Sequence, residues 1–119
     1  MSSLLIEEAE ILERFGDDRE FLNEVLEDFR GMWPEILEAM RNAMAEGNLR
    51  GLAESTHSLK GAAANFSNEA FTAQMQSIES AAKAGDVATA TSEFPAFESN
   101  LKSLDQEILS LMSVQPEGA

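Results

Sequence analysis

The chain has no cysteine, no tyrosine, a single histidine, and only eight basic residues against 22 acidic ones. Without cysteine there is neither a disulfide framework nor a thiolate metal site. One histidine, no Glu-x-x-His pair and no calcium-loop spacing leave no metal centre to expect among the many acids. No stretch approaches the roughly 18 consecutive apolar residues of a membrane span. The start, MSSLLIEEAEILERF, has no basic leader and no long apolar run, so no signal peptide is expected and the cytoplasm is the default compartment. A net charge of −14 repels phosphate backbones and anionic bilayers alike, which sets nucleic acid and membrane partners aside. There is no glycine-rich nucleotide loop and no length for a kinase fold, so ATP-dependent kinase activity of its own is not expected.

What remains is helix. The 119 residues suffice for one core, read as a single domain over 1–114 with a disordered tail over 115–119. Leu4/Leu5, Ile11/Leu12 and Phe15 recur at helical spacing up to a stop at Gly16. Asp17 or Asp18 can cap the next segment, whose stripe runs from Phe21/Leu22 through Trp33 to Met44. Pro34 predicts either a kink or a short break, and Pro95 a bend. Stops at Gly47, at 67–68 and at Gly85 divide the rest into helices over 49–66, 68–84 and 86–112, after the long one over 18–46. Connections this short force neighbouring helices to run antiparallel. The expected fold is therefore all-α: an antiparallel up-down four-helix bundle with an additional N-terminal helix packed as a lid.

The single histidine, His57, lies in ESTHSLKGAAANF, in the middle of a predicted helix. At about 100° per residue it falls roughly 160–180° from Leu59 and Phe66, so it faces solvent while Leu52, Leu59, Ala63 and Phe66 face the core. Its neighbours on that face are Arg50, Ala53, Lys60, Gly61 and Ala64. Three of the five are small, although a mid-helix glycine costs roughly 1 kcal/mol relative to alanine. A flat patch lets another protein's backbone come close to the imidazole. Gly61 has a second explanation, relief of crowding between helices. A neutral imidazole is a competent nucleophile, and Lys60, three residues on, could offset the charge of a phosphoryl group received there, with Arg50 contributing at longer range. Arg50 also suits an i,i+4 pair with Glu54 or Glu46. The helical hairpin about residue 67 brings the level of His57 opposite residue 77, where Glu79 and Lys83 are the titratable candidates and Gln76 and Ser80 the neutral ones. A carboxylate at Glu79 accepting from Nδ1–H would leave Nε2 free to attack.

The run HSLKG at 57–61 resembles the signature of histidine-containing phosphotransfer (HPt) domains, the relay modules of bacterial multistep phosphorelays. FGDDREFLNEVLEDF, AEGNLRGLAESTHSLKG and IESAAKAGD follow the family's order and spacing over about residues 5–112. The resemblance implies that His57 accepts a phosphoryl group from the aspartyl phosphate of a response-regulator receiver domain and passes it to another receiver. It further implies that Lys60 supports the charge and that Gly61 permits close docking. Glu79 falls where many members have a glutamine or glutamate that hydrogen-bonds the histidine, and Lys83 falls near a position that is often polar or basic. Ala53, Ala64 and Arg50 on the same helix face complete the expected docking surface with Lys83. Partners would be receiver domains and a hybrid histidine kinase, with this chain a monomer. No cofactor is expected here, because magnesium belongs to the receiver. Ser67 stands where a glycine commonly closes the helix, and Ala62 where a serine is common. A glutamate at 79 also resembles the phosphoacceptor module of chemotaxis-type kinases, in which a kinase domain is the donor. The remaining alternative is a helical adaptor without chemistry.

Overall fold

The computed structural model describes residues 8–64, 66 and 69–113. Five helices account for them: α1 (Glu8–Arg14), α2 (Arg19–Glu46), α3 (Leu49–Ala63), α4 (Glu69–Ala84) and α5 (Val87–Ser113). No strand occurs among the described residues, and none of their helices is long and apolar enough to cross a membrane. Leu4, Leu5, the turn at 67–68 and the tail over 115–119 lie outside the described residues.

Side-chain acceptors start the helices where the sequence offers them. Asp18 accepts from the Phe21 amide at 3.0 Å, Asn48 from the Gly51 amide at 2.9 Å and Asp86 from the Thr89 amide at 3.1 Å, each satisfying a free N–H of a first turn. Glycines in the left-handed region end them. At Gly47 (φ 69°) and Gly85 (φ 78°) the residue after the glycine donates back to Ala43 O and Ala81 O, at 2.8 Å in both turns. An added Cβ at Gly47 would meet nothing within 4 Å, so only its backbone conformation demands glycine. Gly47→Ala is expected to cost about 1–2 kcal/mol, read as a lower urea midpoint at unchanged m-value.

Pro34 and Pro95 each lie inside a continuous helix, α2 and α5 respectively. The break offered for Pro34 does not occur. Phe29 before it and Leu37 and Met40 after it are buried in one core, and that burial holds the two halves in phase. Helix α3 stops at Ala63 instead of running to residue 66. Phe66 still reaches the core, through a turn in which its amide donates to Ala63 O at 3.1 Å, and its ring meets Phe29 edge-on at 4.9 Å. A single apolar residue in phase with a stripe does not distinguish one more helical turn from a tight turn aimed the same way.

Helix α3 packs on α2 and α4, and α5 closes the set against α4 and α2. Polar pairs across these seams record their directions. Arg30 meets Asp105 and Arg41 meets Glu98, so α2 and α5 are antiparallel. His57 meets Glu79 and Lys60 meets Gln76, which gives the same sense to α3 and α4. The apolar faces form one cluster that includes Ile11 of α1, with Phe15 of the α1–α2 turn packed against Phe21 at 5.6 Å. Asp105 is buried in the α2–α5 seam, taking Arg30 Nε at 2.8 Å and Trp33 Nε1 at 3.0 Å. Burial pushes its carboxyl up, and those two donors outweigh that and hold it below the ordinary aspartate value.

Candidate functional site

Helix α3 buries Leu52, Thr56, Leu59 and Ala63 and turns His57 outward, its side chain 69% exposed. The opposite helix supplies what lies beneath the ring. Glu79 falls four residues after Met75 and eight after Phe71, on the buried stripe of α4, and its side chain is only 2% exposed. Its Oε2 lies 3.0 Å from His57 Nδ1.

A lone buried carboxylate would be costly. This one is flanked by two ammonium groups, Lys60 Nζ at 2.8 Å from Oε1 and Lys83 Nζ at 3.1 Å from Oε2. The Lys60 contact is a close ion pair without the direction of a good hydrogen bond, since Oε1 has no well-aligned donor. Burial pushes the Glu79 carboxyl up, but the neighbouring ammonium groups of Lys60 and Lys83 prevail and bring it from 4.5 down to about 2. Glu79 is therefore ionised and can only accept. The neutral imidazole that suits it carries its proton on Nδ1 and presents a bare Nε2 to solvent.

The sign of the linkage follows from the lowered value. Stability contributed by Glu79 is complete above about pH 4.5 and is lost as the pH falls toward about 2. The full difference corresponds to about 3 kcal/mol. Urea melts at pH 5, 4 and 3 are expected to show a steeper fall for the wild type than for Glu79→Gln.

The other candidate residues divide around this centre. Lys60 does not stand free beside the imidazole. It is 21% exposed, and its ammonium also donates to Gln76 Oε1 at 2.6 Å, while Gln76 Nε2 donates to Ser80 Oγ at 2.9 Å. Lys83 is 66% exposed and shares Oε2 with His57. An open groove of about 800 Å³ runs between the first half of α3 and the last half of α4, with Arg50, Ala53, His57, Ser58, Glu79 and Lys83 along it and without Lys60. Ala53 departs from the expected exposed position. It is buried and still lines the groove, because α3 packs against α4, a neighbour that the wheel of an isolated helix leaves out. Arg50 pairs with Glu54 at 3.3 Å, one of the two i,i+4 partners expected for it. Gly61 is exposed, and a Cβ there would meet nothing within 4 Å. Crowding between helices is thereby excluded as its reason. Ala64 is exposed at the end of α3 and borders a second depression with Arg14, Thr72, Ala73 and Gln76.

The sequence offers Glu79 as one of two titratable candidates at the level of His57 without showing it buried, and it does not point to Ser58 and Ala82 as lining residues of the groove. The signal for Glu79 was its place in the Phe71–Met75–Ile78–Ala82 stripe, where a charged residue needs partners. Ser58 and Ala82 had no comparable signal, because a groove exists only once two helices are set side by side.

A family model described as Hpt domain matches residues 24–107. No curated protein and no solved structure gives a significant match.

Proposed function

The chain belongs to the Hpt domain family, whose members carry phosphoryl groups on histidine within phosphorelays, and from that premise we propose that His57 is its phosphoacceptor. In this reading Nε2 attacks the phosphorus of a receiver's aspartyl phosphate. The N–P bond forms as the P–O bond to the aspartate breaks, and the aspartate leaves as a carboxylate. The ring keeps its Nδ1 proton and takes up positive charge, which the Glu79 carboxylate offsets. In the onward step a second receiver's aspartate attacks the phosphorus, and the ring departs as a neutral imidazole. The observation that carries the proposal is the exposed imidazole whose Nδ1 is held at 3.0 Å by a buried, ionised carboxylate.

The roles of the surrounding residues belong to the same proposal. Lys60 holds Glu79 and adds positive charge near the arriving phosphoryl group. Gly61, Ala64 and the groove residues Ala53, Arg50 and Lys83 receive the partner, with the four long helices as an up-down bundle and α1 as a lid on it. The chain acts as a monomer in the cytoplasm and needs no cofactor, magnesium being held by the receiver. Incubation with a panel of labelled phosphoreceivers tests the reading, with acid-labile label on this chain as the expected result. A glutamate at 79 favours one competitor, the chemotaxis-type module. Label arriving only from a kinase domain with ATP would establish that competitor, and label from neither source would leave a non-catalytic adaptor.

A further inference from the structure

A buried carboxylate 3.0 Å from an imidazole ordinarily favours the imidazolium form, which has no lone pair on Nε2. An acceptor histidine therefore gains its tautomer from Glu79 at a risk to its nucleophilicity. The charges around His57 show how that conflict is resolved. From α3 they are Arg50, Glu54 and Lys60, and from α4 Glu79 and Lys83. Arg50 and Glu54 face each other and largely cancel. Lys60 is on Oε1 and turned toward Gln76, outside the groove. Lys83 alone is on Oε2, the oxygen that His57 uses, and it lies in the groove with the ring.

We propose that Lys83 is a positioning residue that competes with His57 for Oε2 of Glu79 and so keeps the imidazole neutral, with Nε2 available for attack. This inference rests on His57 being the acceptor. With Lys83 present, the carboxylate remains ionised and still accepts from Nδ1–H, while a second cation on the same oxygen opposes formation of an imidazolium. Without it, Oε2 belongs to the ring alone, and protonation of Nε2 becomes easier. The cluster of Glu79, Lys60 and Lys83 carries a net positive charge before any phosphoryl group arrives, and loses that excess when Lys83 is removed.

The test is an NMR titration of the His57 ring protons in the full chain, with no phosphodonor present. In Lys83→Met the titration curve is expected to move to higher pH by roughly half to one unit, and Lys83→Arg is expected to restore it. The pH–rate profile for phosphoryl acceptance from phosphoramidate, a small donor that needs no docked partner, should follow. The Lys83→Met variant would lag roughly three- to tenfold on the acidic limb and converge with wild type at alkaline pH. A thermal melt guards against loss of fold, and Glu79→Gln provides a second route, since without a carboxylate to share, adding Lys83→Met should move the curve little. A titration curve unmoved or displaced to lower pH in Lys83→Met would overturn the proposal, as would a rate deficit equal at every pH. A curve that moves as expected in a chain that never accepts label would retain the role of Lys83 toward the ring and reject the phosphotransfer reading instead.

Discussion

His57→Gln is expected to remove phosphoryl acceptance, reducing label recovered from any phosphoreceiver by roughly a thousandfold or more. The nucleophile is lost outright, while little else changes. The ring is 69% exposed, so no core contact depends on it. Glutamine can still present an amide N–H toward Glu79, and folding stability should stay within about 0.5 kcal/mol of wild type. The chemistry of the product separates the site from its neighbour. Ser58 is an exposed hydroxyl in the same groove, and a phosphoserine survives acid that destroys a phosphohistidine. Acid-stable label, or acid-labile label persisting in His57→Gln, would place the acceptor elsewhere.

Gly61→Gln is expected to split stability from function. A Cβ at 61 meets nothing within 4 Å, and glutamine is a better helix former than glycine. The variant should therefore be more stable by roughly 0.5 kcal/mol. Transfer from a receiver should nevertheless fall by about 100-fold, because a 1 Å displacement of the reacting groups is enough for such a loss. Acceptance from a small phosphodonor such as phosphoramidate, which needs no docked partner, should be almost unchanged. Equal rates from both donors in wild type and variant would remove Gly61 from the docking surface. Equal losses from both would make it a local perturbation of His57. Gly51 offers a useful contrast, since a Cβ there would come within 2.6 Å of the Asn48 cap, a reason for glycine that lies wholly inside the chain.

The helices were legible because their signals are local. Asp18, Asn48 and Asp86 cap in the structure where acceptors precede apolar stripes, and Gly16, Gly47 and Gly85 take the positive φ that ends a helix. Where a boundary was misplaced, at residues 64–66, the burial of Phe66 was still foreseen and only the path to it was not. Pro34 left two outcomes open in the sequence, and the shared core under Phe29, Leu37 and Met40 selected the continuous one.

The site was legible to the depth of one helix. The outward turn of His57 follows from its angle to Leu52, Leu59 and Ala63 on a single axis, and the structure places the ring in solvent. The same reasoning sets Lys60 beside the imidazole, and what a single helix does not show is the buried Glu79 carboxylate that Lys60 and the ring both use. Spacing along α3 fixes where a lysine starts but not where its four-carbon stem leads, and its ammonium ends between Glu79 and Gln76 of α4.

By itself, the sequence determined an all-helical chain, the residues that enter its core, and the direction in which its one imidazole points, because each depends on a period of 3.6 residues and on caps a few residues apart. Only the tertiary structure decided that Glu79 joins His57, Lys60 and Lys83 through two oxygens, and that Lys83 is the cation sharing the ring's oxygen. Those relations depend on how far α4 slides and rotates against α3, and on the loss of water that makes a carboxylate there seek partners. No spacing within either helix encodes them.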